Sequence, residues 1–93
     1  MADYIIEPDG RVVTGQARQE IAFIENDGTV RDRRYGQEIG YIESDGTIKD
    51  RRYGKEIGFV ETDGTVREWR HGREIAKVGP PVHRQGALFL LLG

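Results

Sequence analysis

One motif returns at a fixed interval and constrains this chain more than any other feature. Asp27-Gly28-Thr29-Val30, Asp45-Gly46-Thr47-Ile48 and Asp63-Gly64-Thr65-Val66 are near copies at a spacing of eighteen positions, preceded by a degenerate Asp9-Gly10-Arg11-Val12. Glu20-Ile21, Glu38-Ile39, Glu56-Ile57 and Glu74-Ile75 keep the same interval, as do Ile6, Ile24, Ile42, Val60 and Val78. Three apolar columns therefore run through residues 4–78. This is the mark of a repeat architecture, in which each unit buries its apolar residues against its neighbours.

Within the row from Glu38 to Lys55, two short stretches rich in Ile, Thr and Tyr alternate with two glycine-bearing turns, Ser44-Asp45-Gly46 and Arg52-Tyr53-Gly54-Lys55. Asp followed by Gly suits the positive φ angles of a tight hairpin, because Gly has no Cβ and Asp tolerates the left-handed region. No helical periodicity runs through the rows, so antiparallel β is the economical reading. Ile39 and Ile42, three apart, should point to opposite faces of a regular strand. Gly40 between them is a natural place for a bulge or a close backbone approach, but because the equivalent residues are Ala22, Gly58 and Ala76, crowding is expected there instead of a strict bulge, at points where neighbouring rows meet.

A lone hairpin is not stable in water, so the rows must share one core. The expected fold is all-β: residues 1–78 form four hairpin repeats, each one row long, closed radially like a flower or a small propeller, which removes free sheet edges. A short β-solenoid is the alternative, with two ends to cap. Gly79-Pro80-Pro81 cannot continue a ladder and makes residues 79–93 a separate Pro-Pro hinge and tail. The run Ala87 to Leu92 is too short to cross a bilayer. It is expected to dock on the core or to join copies, with Leu88, Phe89, Leu90, Leu91 and Leu92 at the interface of a homo-oligomer. So short a run does not decide between helix and strand.

Composition narrows the function classes. Cysteine is absent, which excludes disulfide and thiolate-metal frameworks, and the acidic start Met-Ala-Asp-Tyr-Ile-Ile-Glu does not read as a signal peptide. A cytoplasmic protein is expected. Fourteen basic against sixteen acidic side chains argue against a polyanion-coating protein, and nucleic acid is disfavoured as a partner.

Catalytic groups are few. His71 occupies the column of Tyr35 and Tyr53 and reads as a turn residue, His83 follows the hinge alone, and Ser44 lies in a turn, so no triad, metal centre or cofactor site assembles. Glu7, Glu25, Glu43 and Glu61 each stand two residues before the turn Asp of their row, but two carboxylates are too few for a calcium loop. At the opposite turns, Arg33-Arg34-Tyr35, Arg51-Arg52-Tyr53 and Trp69-Arg70 set cations beside aromatics, a spacing able to stack rings and neutralise an anionic ligand. Ion pairs with the neighbouring Asp32, Asp50 and Glu68, or with Glu38, Glu56 and Glu74, account for the same arginines more simply.

The rows Tyr41 to Asp50 and Tyr53 to Gly58, with the apolar end, resemble small bacterial β-flower-like proteins, hypothetical chains of genomes and mobile gene cassettes. Their pattern is x-Asp-Gly-x-Ile-x-Asp followed by Gly-x-x-Ile-Gly. The resemblance spans nearly the whole chain and implies hairpin petals with the tail near the centre. It lends no catalytic or binding residues, since its motifs are turn and core positions. Gly15-Gln16-Ala17-Arg18 in the first row, and Trp69 and Lys77 in the fourth, depart from it. The function expected is a non-enzymatic structural or interaction module that self-associates. The alternative is a polyanion or small-ligand binder using the arginine-aromatic rim.

Overall fold

β-Branched and aromatic residues fill short strands here, and glycine-bearing turns join them. The computed structural model describes residues 4–14 and 18–92, so Gly15, Gln16 and Ala17 of the irregular first-row turn lie outside the described residues. Nine strands, β1 (Ile5–Ile6), β2 (Arg11–Val13), β3 (Glu20–Ile24), β4 (Thr29–Arg31), β5 (Glu38–Ile42), β6 (Thr47–Lys49), β7 (Glu56–Val60), β8 (Thr65–Arg67) and β9 (Glu74–Lys77), precede one helix, α1 (Val82–Leu92). The strands pair in chain order into a single sheet, each ladder antiparallel.

The sheet is open. β1 pairs with β2 and β9 with β8, and among the described residues no ladder joins β1 to β9, so the expected radial closure is not formed there. A β-solenoid stacks its coils in parallel, which these antiparallel ladders do not do. The last hairpin is incomplete because Gly79-Pro80-Pro81 stands where the earlier rows carry Glu-x-Asp. The chain turns into α1 instead of supplying β9 with a second partner. The protein is thus mostly β, with a terminal helix that the all-β expectation did not include.

α1 covers one face of the sheet. Leu88 is fully buried with Val12, Ala22, Ile24 and Val30, and Ala87 with Ile48, Val60 and Val66. Neighbouring rows do meet at the small residues, where Val12 faces Ala22, Val30 faces Gly40, Ile48 faces Gly58 and Val66 faces Ala76, and at the two glycines the helix adds the crowding. A Cβ on Gly40 would stand 2.3 Å from Leu91 Cδ1, and one on Gly58 2.5 Å from Leu90 Cδ1. Gln85, in the first turns of α1, ties the helix to the sheet edge: its Oε1 accepts the Tyr4 N–H at 2.9 Å and its Nε2 donates to the Tyr4 carbonyl at 2.6 Å.

Ile39 and Ile42 do not part to opposite faces. Arg31 faces Glu38 and Val30 faces Gly40, which leaves Ile39 as an extra residue, a β-bulge. The same shift places an extra Ile21, Ile57 and Ile75 in the other rows. The bulge resets the alternation, so Ile21, Ile39 and Ile42 all pack against one core.

Candidate functional site

Two rims flank the sheet, one built from the Asp-Gly turns and one from the arginine-aromatic turns. In the first, the Gly28 N–H donates to the Glu25 carbonyl at 3.0 Å and Gly28 takes a φ of 101°, while Asp27 stays out of the left-handed region. This is a turn closed by a left-handed Gly; the Asp is there for another reason than the backbone freedom expected of it. Asp27 Oδ1 accepts the Thr29 N–H at 3.0 Å, and Asp45 and Asp63 accept from Thr47 and Thr65 alike. These backbone N–H groups hold the three carboxyls below the usual range, with help from Arg52, Arg70 and Lys77 respectively. Asp9 is lowered likewise, first by the Arg11 N–H.

The glutamates of this rim are paired as well: Glu25 with Arg31 at 3.0 Å, Glu43 with Lys49 at 2.9 Å and Glu61 with Arg67 at 3.1 Å. Among the described residues no group of three or more His or acidic side chains is arranged to hold a metal ion. An open cleft of about 620 Å³ lies between two Asp-Gly turns and the start of α1, lined by Tyr41, Ser44, Asp45, His83 and Arg84 among others. His83 belongs to α1, and its Nε2 is buried without a hydrogen-bond partner among the described residues. No hydrogen bond there joins Ser44 to either histidine, and His71 is exposed between β8 and β9.

At the other rim, the turn from Asp32 to Gln37 is built around a carboxylate. Asp32 Oδ1 accepts the Gln37 N–H at 3.0 Å, and a Cβ on Gly36 would fall 1.8 Å from that oxygen. Asp50, Gly54 and Lys55 repeat the arrangement. In the fourth row Glu68 replaces the Asp, and Trp69 lies over Gly72, whose Cβ would be 2.8 Å from the indole.

Of the eight residues proposed for this rim, three turn away from it. Arg34 stacks over Phe23 at 5.2 Å, Arg52 over Tyr41 at 5.2 Å and Arg70 over Phe59 at 4.8 Å, on the sheet face opposite α1. Each also reaches a turn Asp well upstream: Arg34 to Asp9 at 4.0 Å, Arg52 to Asp27 at 3.4 Å, and Arg70 to Asp45. Of the flanking acids expected as partners, Asp32 and Glu38 take a smaller part, and Glu20, which is not among them, does the same as Glu38. Glu20 and Glu38 accept the backbone N–H of Arg34 and Arg52, and Asp32 lies 3.8 Å from Arg33. The signal for these clasps was the recurring ring at Phe23, Tyr41 and Phe59, which precedes its arginine by the same interval in three of the four rows.

What stays at the rim is Arg33, Tyr35, Arg51, Tyr53 and Trp69. Tyr35 and Tyr53 are each 90% exposed and Trp69 53%. The tail residues expected at an oligomer interface are largely engaged inside the chain: Leu88 is fully buried, Phe89, Leu90 and Leu91 are half-buried against the sheet, and Leu92 is exposed. Among the described residues no helix is long and apolar enough to cross a membrane. No protein-family model, curated protein or solved structure matches this chain.

Proposed function

We propose that the protein is a non-enzymatic interaction module that self-associates through the two edges of its open sheet. The observation that carries this reading is Ile75 on β9. The equivalent bulge residues Ile39 and Ile57 are half-buried between neighbouring strands, whereas Ile75 is 38% exposed on an edge that lacks its next strand. Ile5 on β1, at the other edge, is also 38% exposed. An unpaired edge offers a row of backbone donors and acceptors to another chain. Pairing of β9 in one copy with β1 in the next would continue the meander and complete between copies the ring expected of the repeats, in keeping with the resemblance to β-flower-like proteins. Such head-to-tail contacts close into rings or grow as filaments. Glu74 and Lys77, charged residues on β9, favour a defined register over indiscriminate edge pairing.

The polyanion alternative loses support, because Arg34, Arg52 and Arg70 already have carboxylate and ring partners within the chain. Sedimentation velocity across a concentration series tests the proposal. The expected result is a concentration-dependent oligomer that Ile75→Lys converts to monomer, with Leu92→Lys unaffected. A protein that stays monomeric at all concentrations, or an oligomer that Ile75→Lys leaves intact, would refute it.

A further inference from the structure

The open cleft beside α1 supports a second inference, independent of the sheet edges. The turns around Asp27 and Asp45 form two of its sides, and His83 and Arg84 of α1 the third. Its volume of about 620 Å³ lies within the roughly 300–1,000 Å³ usual for ligand pockets. Because the rows recur, so does the gap between their turns. The next gap, lined by Asp45, Glu61 and Asp63 among others, holds about 370 Å³, and among the described residues neither a cation nor any part of α1 lines it. The start of the helix is what sets the larger cleft apart.

Four carboxylates line this cleft, and each is already matched: Glu25 by Arg31, Glu43 by Lys49, Asp27 by Arg52 and Asp45 by Arg70. Arg84 is the cation left over. It is half-buried, and among the described residues its guanidinium has no ion pair or hydrogen bond, although four acids share the cleft with it. The backbone that carries it is anchored on both sides, by His83 against Gly46 and by Gln85 on the Tyr4 backbone, so little ordering is left for a ligand to impose.

An occupant has to answer this distribution of groups. A guanidinium is a planar fork of donors that matches one carboxylate through two parallel hydrogen bonds. A phosphate monoester brings close to two negative charges, too many for one arginine in a cleft lined by four carboxylates. Acceptors prevail over the rest of the lining: the oxygens of Glu25 and Glu43, and the side chains of Asn26 and Ser44, which have no partner among the described residues. Since every carboxylate has its own cation, neutral hydroxyl donors suit them and an ammonium is not required. We propose that the cleft binds a saccharide bearing a single carboxylate, with Arg84 holding the carboxylate and the two Asp-Gly turns accepting from the hydroxyls.

The experiment titrates the full protein calorimetrically with lactobionate and with sialyllactose, two sugar acids of one carboxylate each. Lactose, glucose 6-phosphate and acetate serve as the neutral, phosphorylated and sugar-free comparators. The expected result is saturable binding of a sugar acid, weakened about tenfold to a hundredfold by Arg84→Gln and severalfold by Arg84→Lys, which keeps the charge but loses the fork. Arg51→Gln, at the opposite rim, should leave it unchanged. Should Arg84→Gln lower the melting temperature, Ser44→Asp, an exposed position, probes the same cleft by adding a fifth carboxylate and should weaken binding about tenfold or more. No saturable heat with either sugar acid up to about millimolar concentration, where affinity would be negligible, overturns the proposal. So does binding indifferent to both Arg84→Gln and Ser44→Asp, or any comparator bound as tightly as the sugar acids.

Discussion

The two faces of the sheet are covered in opposite ways. On one, Leu88, Leu90 and Leu91 of α1 close over the valine and isoleucine columns. On the other, Arg34, Arg52 and Arg70 lie over Phe23, Tyr41 and Phe59 and reach back to an Asp-Gly turn. The arginine cover recurs in three successive rows, so it would extend with any added hairpin of the same sequence. The helical cover is supplied once, from outside the repeat. Eleven residues span about 16 Å, three or four strand spacings, and α1 packs chiefly across β5 and β7. The helix, and not the hairpin, sets how many rows this molecule can shelter.

Breaking the helical cover should have the largest effect. Leu88→Ala removes a fully buried side chain from the cluster around Val12, Ile24 and Val30 and should lower unfolding free energy by about 2–5 kcal/mol in urea titrations. Leu92→Ala, at the exposed end of the same helix, should change it by less than about 0.5 kcal/mol. Gly46 comes next, since both covers converge on its turn: Asp45 holds Arg70, and His83 of α1 lies against Gly46. Gly46 has a φ of 102°, and a Cβ there would sit 2.2 Å from the Val60 carbonyl oxygen. Gly46→Ala should cost about 1–3 kcal/mol from backbone conformation, before any shift of β7.

The difference between the covers also explains what could be read in the sequence. The strands and both turn types follow from residues that recur row after row, because each row meets nearly the same surroundings. The arginine clasps are legible in principle through the constant interval from ring to arginine, but acids flank each arginine in the sequence, whereas its carboxylate partner lies more than a full row upstream. The helix was not legible by period. Ala87 to Leu92 is too short a run to show one, and Gly86 weakens helix propensity, though it is there because a Cβ would fall 2.4 Å from Val60. Without the helix, ring closure was the remaining way to cover an apolar face. The three-residue spacing of Ile39 and Ile42 points to a bulge near Gly40, but Ala22 and Ala76 at the equivalent positions favour crowding over a bulge, and the ladder register shows that both occur, with Ile39 the extra residue.

Arg70→Ala sharpens the comparison from the other side. It uncovers Phe59 and frees Asp45, and should cost about 0.5–1 kcal/mol, the scale of an exposed cation-ring contact. Arg70→Lys should recover only part of this, because an ammonium cannot lie flat on the ring while reaching the carboxylate. Raised salt should weaken the carboxylate contact more than the ring contact.

The smallest effect separates the covers by pH. Asp27, Asp45 and Asp63 titrate below their ordinary value in the folded protein, chiefly through the Thr N–H groups and then through Arg52, Arg70 and Lys77. A carboxyl whose folded pKa is depressed contributes its stability in full above the unfolded value, about 3.9, and loses it as pH falls through the folded one. Melting temperature should therefore drop below about pH 4 and continue to fall toward pH 2. Asp45→Asn keeps an oxygen for the Thr47 N–H but carries no charge, so its acid decline should be shallower than that of the wild type. Leu88→Ala, which touches only the helical cover, should be less stable at every pH yet decline in parallel with the wild type. If the slope of Leu88→Ala also changes, the two faces are coupled through the Asp45-Gly46 turn, and His83, packed against that turn, is where the coupling passes.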